Sequence, residues 1–141
     1  MSGRTVIDAN DLILGRMSSI VAKRLLDGER IDIVNAENII VSGKRQHLIM
    51  ASKEFLEVGG RTRGPLHYRR PHAMVRRTIR GMLPYRKPRG REAFGRLKVH
   101  IGTPEELESY PVESIPSASV DRLKGNYLTV GEIAKNIGWK V

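Results

Sequence analysis

The sequence predicts an α/β layer fold with a mainly parallel sheet, and three observations predict it. Within roughly the first fifty residues, short β-branched runs alternate with apolar-periodic stretches in the order strand, helix, strand, strand, helix. That order belongs to sheets whose parallel strands are joined by helical crossovers. The run Ile39-Ile40-Val41 lacks polar alternation, as expected for a strand buried on both faces. The apolar fraction, 40% of 141 residues, is ordinary for a globular chain long enough to form one domain, 1–141, with a real core.

Each element follows from local chemistry. Thr5–Ala9 starts a strand with Val6 and Ile7, and Asp8–Asp11 is a polar turn. Leu14–Leu26 is a helix with Met17, Ile20, Val21, Ala22, Leu25 and Leu26 on its apolar side and Gly28 placed to end it. Ile31–Val34 is a second strand, residues 35–38 a connector, and 39–41 a third strand in the parallel sheet. Lys44–Glu57 is a helix, and Val58–Arg70 is too rich in glycine for one, so it reads as a flexible basic loop. Met74, Val75, Ile79, Met82 and Leu83 fall on one side of a helix that Pro71 suits at its start and Pro84 stops. Tyr85–Gly90 is a proline-interrupted basic turn, Arg91–Arg96 a short helix and Leu97–Ile101 an alternating strand. Residues 102–119 carry Pro104, Pro111, Pro116 and four glutamates with no base, and read as an acidic, extended surface linker. Tyr127–Val130 is a late strand and Glu132–Ile137 a closing helix before Gly138, so a strand and helix occupy 127–138.

Charge is concentrated in one place. Residues 61–98 hold thirteen Lys and Arg against one acid, Glu92, and so carry more positive charge than the whole chain, whose net charge is +10. Eleven of the thirteen are arginine, whose planar fork matches two phosphate oxygens and stacks on bases. The first partner this suggests is the phosphate backbone of a nucleic acid; an acidic protein or an anionic membrane surface fits second. Runs of pure like charge are usually solvated or disordered, but the apolar residues at helical spacing inside this one dock part of it on a core. Gly43-Lys44 precedes a helix as in a phosphate loop, but the upstream glycine is missing and Arg45 stands where a magnesium-binding hydroxyl belongs. Lys44 and Arg45 can still meet a phosphate at that helix start.

Other chemistry has little to stand on. There is no cysteine, so thiolate metal sites and disulfides are excluded. His47, His67, His72 and His100 lack the spacing and carboxylate company of a metal site, and read as loop or RNA-contact residues. Asp8 and Asp11 suit turn roles better than a catalytic pair. The strand–turn–helix opening offers only Gly15 where a dinucleotide site needs three glycines. No cofactor and no small-molecule substrate is indicated, and no apolar run approaches the ~20 residues of a membrane helix. Trp139 reads as packing on its own domain.

The stretches Leu14-Gly15-Arg16-Met17-Ser18-Ser19, Ile33-Val34-Asn35-Ala36-Glu37, Val41-Ser42-Gly43-Lys44, Arg77-Thr78-Ile79-Arg80-Gly81-Met82-Leu83-Pro84 and Arg89-Gly90-Arg91-Glu92-Ala93-Phe94 with Leu97-Lys98-Val99 are similar to the large-subunit ribosomal protein thirteen family. The resemblance covers about residues 5–101, and the Gly-Met-Leu-Pro element in its basic frame is its specific part. Tyr127–Lys140 resembles the archaeal and eukaryotic branch, and 102–119 matches no motif. The resemblance implies a three-layer α/β/α fold around a parallel sheet of about four strands. It also implies a non-enzymatic, cytoplasmic component of the large ribosomal subunit that binds folded large-subunit rRNA beside neighbouring ribosomal proteins and aids assembly. On the matching positions, Arg77, Arg80, Arg89 and Arg91 are the expected RNA contacts; Arg61, Arg63, Arg69, Arg70, Arg76, Arg86 and Lys87 rest on charge and loop placement. The loop and the turn would reach into RNA crevices and neutralise phosphates of helices brought close together. A regulatory mRNA-binding protein outside the ribosome and a nucleotide-binding α/β enzyme are the rival expectations.

Overall fold

The computed structural model describes residues 4–57, 70–123 and 125–139. Its centre is a parallel sheet of β1 (Arg4–Asp8), β2 (Arg30–Val34), β4 (Leu97–Val99) and β5 (Val112–Glu113), in the order β4-β2-β1-β5. The register pairs Ile7 with Ile33, Ile31 with Leu97 and Ile33 with Val99. Alternation along each strand therefore brings these apolar side chains to one face. They share a core with Met17, Val21 and Leu25 of α1 (Leu14–Leu26), Val75 and Ile79 of α3 (Pro71–Gly81) and Ala93 of α4 (Pro88–Gly95). α1 occupies the range its periodicity predicts, and Gly28 closes it at φ 102°, a conformation that favours glycine.

The opposite face is partly polar. Val6 and Val34 pack with Leu107, while Asp32, only 3% exposed, stands directly opposite Val6 in register, two positions before Val34. Its carboxylate forms an ion pair with Arg4, 2.8 Å from Nε, and lies 3.2 Å from His100 Nε2. A buried carboxylate requires such partners. His100, in the loop just after β4, is thus a structural neighbour of Asp32. Asp8 has the predicted turn role: its Oδ1 accepts from the Asn10 amide at 3.0 Å and from Asn35 Nδ2 at 3.1 Å.

Three expectations need correction. The run at 39–41 does not join the parallel sheet. β3 (Ile40–Ser42) pairs antiparallel with β6 (Tyr127–Thr129), Val41 is half-buried and Ser42 exposed. A parallel return needs a crossover of about a dozen residues or more. Only 35–39 separate β2 from β3, and Asn35 turns the chain away at φ 59°, leaving the place beside β2 to β4. The helix expected over Arg91–Arg96 begins at Pro88, whose fixed φ suits a first helical position. Met82, expected in the core, follows the last residue of α3 and is 43% exposed.

A fourth correction concerns 102–119, which is part of the fold rather than a linker. It supplies the edge strand β5, paired with β1, and buries Leu107, Ile115 and Ala118. Arg24 at the end of α1 holds Glu29 through both carboxylate oxygens (2.6 and 3.0 Å) and reaches Glu113 of β5 at 3.2 Å. The same contact holds the Glu29 carboxyl below its usual pKa, the Arg24 hydrogen bond outweighing the opposing effect of burial. Truncation of Leu107 to alanine is expected to destabilise the protein by about 2–5 kcal/mol. Urea unfolding of the variant checks this, since a linker residue would cost almost nothing.

Two helices complete the chain: α2 (Arg45–Glu57) after β3, and α5 (Val130–Asn136) directly after β6. Thr129 caps α5 by accepting from the Glu132 amide at 3.2 Å, and Gly138 follows its C-cap at φ 116°. Trp139 is half-buried, with its amide donating to the Ala134 carbonyl at 2.9 Å.

Candidate nucleic-acid interface

α3 and α4 display the basic stretch. Val75, Ile79 and Leu83, spaced four apart, anchor α3 and the turn that follows it, while Arg76, Arg77 and Arg80 lie exposed. On α4, Gly90 and Ala93 are buried and Arg89 and Arg91 exposed. Arg70, Arg86 and Lys87 are exposed before and between the two helices. Five of the predicted contact residues are thus displayed by two helices that share α1 and β4 as packing partners, and three more flank those helices. Arg61, Arg63, Arg69 and His67 lie outside the described residues, as does the loop 58–69.

Lys44 and Arg45 sit elsewhere, at the start of α2, which packs on α5 and β6. Both are exposed, but Arg45 donates to Glu132 at 3.2 Å. A phosphate would have to displace or share that partner. Arg96, though inside the basic stretch, is structural: its guanidinium donates to the Leu25 carbonyl.

Two cations of α3 are braced by rings. Arg76 lies 4.2 Å from the Phe94 ring centroid and Arg80 lies 4.8 Å from that of Tyr85. The two rings meet edge to face at 5.6 Å and 85°. Arg76, Phe94, Tyr85 and Arg80 form one continuous chain of contacts linking α3, the turn and α4. A ring attracts a guanidinium without neutralising it, so its hydrogen-bond donors stay available to an anion. Among the described residues, none of Arg76, Arg80, Arg86, Lys87, Arg89 and Arg91 forms an ion pair with a carboxylate. Composition and charge gave no sign of Tyr85 and Phe94 as part of this surface; the pairing needs two helices to meet.

Backbone dipoles add to the field. Neither α3 nor α4 carries an acid in its first turn, and each follows a cation at its N-cap, Arg70 and Lys87. Helix N-termini present free amides and partial positive charge, so anions are favoured there. The same surroundings hold His72, half-buried in the first turn of α3, below its ordinary pKa: burial contributes most, then Arg70, His100 and Arg76. Two concavities flank the helices. One is an apolar groove of about 500 Å³ between α2, α3 and α5, lined by Leu48, Met74, Ile133 and Ile137 with Arg77 on its wall. The other is an open pocket at the turn after α3, bordered by Arg80, Tyr85, Arg86 and Lys87.

The arrangement can hold several phosphates at fixed spacing. The profile of the family described as Ribosomal protein L13 matches residues 3–106. The chain is 44% identical over 137 residues to "Large ribosomal subunit protein uL13" of Methanococcoides burtonii, covering 96% of this chain and 99% of that protein. Proteins of the same description are 46% identical in Methanosarcina barkeri (138 residues; 96% and 99%) and in Methanocaldococcus jannaschii (140 residues; 96% and 98%). The matches to these relatives extend past 106, where the profile ends, and take in the stretch that forms β5.

Proposed function

The chain belongs to the ribosomal protein L13 family, and from that premise we propose that it is a structural, non-enzymatic component of the large ribosomal subunit whose α3–α4 face binds folded rRNA. The observation that carries the site is a row of exposed cations in which Arg76 and Arg80 are braced by Phe94 and Tyr85. Folding of a large RNA is opposed by repulsion between phosphates of neighbouring helices. A rigid α/β platform that holds guanidinium groups at set positions lowers that repulsion without having to order them on binding. Recognition is then by shape and backbone, because the A-form major groove is too narrow for side chains to read. Arg70, Arg76, Arg77, Arg80, Arg86, Lys87, Arg89 and Arg91 carry this role, with Lys44 and Arg45 as a separate minor contact. Arg61, Arg63 and Arg69, which lie outside the described residues, are proposed as further contacts on charge alone. Other large-subunit proteins are the neighbours, and the cytoplasmic ribosome is the location.

Sedimentation of the endogenous protein tests this. At low magnesium, which parts the subunits, and after a moderate-salt wash, it is expected to travel with the large subunit at near one copy each. Recovery at the top of the gradient, in quantity and free of RNA, would overturn the reading and favour a role outside the ribosome.

A further inference from the structure

We propose that the open pocket at the turn after α3 receives a single unstacked nucleotide of RNA, its base lying against the Arg80–Tyr85 pair and its phosphate held by Arg86 and Lys87. The proposal rests on the RNA-binding reading and specifies what kind of RNA feature the face takes. The pocket has a volume of about 520 Å³, within the ~300–1,000 Å³ range of small-ligand sites. One part of its wall is flat and π-bearing: the guanidinium of Arg80 over a Tyr85 ring that remains 39% exposed. Another part is cationic, Arg86 and Lys87, both exposed.

A duplex backbone alone gives no reason for the ring to stay exposed once it has braced Arg80. Regular A-form RNA presents phosphates and 2′-hydroxyls, with its bases stacked inside. Cations alone would suffice for it. An exposed ring paired with a guanidinium and flanked by two further cations matches a splayed base, which stacks on aromatic or arginine planes while its backbone is neutralised. The chain has few aromatics, four Tyr, two Phe and one Trp, yet two of them meet here. The wall is also fixed in place. The Tyr85 amide donates to the Leu83 carbonyl at 2.8 Å and the Lys87 amide to the Pro84 carbonyl at 2.9 Å. Arg91 Nη1 donates to the Arg86 carbonyl at 3.0 Å, and Phe94 abuts the Tyr85 ring. A preformed wall needs little ordering when the base arrives. Stacking tolerates any base, so the site selects an unpaired nucleotide rather than a sequence.

The test uses the full chain and three RNA duplexes of one sequence: fully paired, with one bulged 2-aminopurine nucleotide, and with an abasic residue at the bulge. The 2-aminopurine duplex is expected to bind about 5- to 150-fold tighter than the other two, with its fluorescence quenched on binding. Tyr85→Leu should remove that advantage without changing the salt slope, and Tyr85→Phe should keep it. Equal binding of the 2-aminopurine and abasic bulges to the unaltered protein, with a normal salt slope, would overturn the pocket assignment and leave the rRNA reading standing. Absence of salt-dependent binding to all three would overturn both. The abasic comparison needs no variant, so it decides the matter even if Tyr85→Leu fails to fold.

Discussion

Gly90→Ala is expected to destabilise the protein by about 3 kcal/mol, lowering the melting temperature by roughly 10 °C, and to weaken RNA binding in whatever fraction remains folded. A Cβ at Gly90 would stand 2.0 Å from the Pro84 carbonyl oxygen, 2.3 Å from its carbon and 2.9 Å from the Tyr85 amide nitrogen. These are backbone atoms, so no side chain can rotate aside. Either α4 lifts from the turn or the turn itself moves, and Tyr85, Arg86 and Lys87 move with it. Gly95→Ala, at the far end of the same helix, is the control. An added carbon there meets nothing within 4 Å, and alanine is the better helix former, so the change should be neutral or stabilise by up to about 1 kcal/mol. Calorimetry on the pair separates a close backbone approach from a general intolerance of α4 to substitution. A Gly90→Ala protein that melts within a degree or two of the parent would show that α4 is not seated on the turn as described.

Replacing Arg86, Lys87, Arg89 and Arg91 together with glutamine is expected to flatten the log–log salt dependence of RNA binding by roughly 3, at about 0.7–0.9 per lost phosphate contact. The fold should survive, because all four side chains are exposed. It should even gain slightly. Arg89 and Arg91 lie in the first half of α4, near the positive end of its dipole, where a cation is disfavoured by a few tenths of a kcal/mol to about 1 kcal/mol. Cations placed against a local preference point to a partner that reverses its sign, and a phosphate does. Filter binding to deproteinised large-subunit rRNA across a salt series, beside thermal melts, measures both effects. An unchanged slope would remove these four residues from the interface.

Much of this surface was legible in the sequence because charge and helical periodicity are local properties. Arg76, Arg77 and Arg80 alternate with Val75 and Ile79, so their exposure on one side of a buried helix could be read directly, and the structure places them so. The Arg77–Pro84 element carried the family resemblance for the same reason: its residues are contiguous. The Arg76–Phe94 and Arg80–Tyr85 contacts were not legible, since they depend on how α3 and α4 meet after the turn. Nor was the structural role of Arg96, whose partner Leu25 lies 71 positions earlier in the chain.

The same division holds for the fold. The sequence by itself determined that α1, α3 and α5 are helices, that Val6–Ile7 and Ile31–Ile33 are strands, and that the basic charge would be displayed from a packed body. Those outcomes follow from residue spacing, β-branching and helix-ending residues acting over a few positions. Only the tertiary structure decided strand partnership. β3, as apolar as its neighbours, is excluded from the parallel sheet because five residues cannot carry the chain across to a parallel position. The polar, proline-rich 102–119 is drawn in because Leu107, Ile115 and Ala118 find apolar cover there and Glu113 finds Arg24. Burial is a property of what a segment meets. Composition measured along the chain does not contain it.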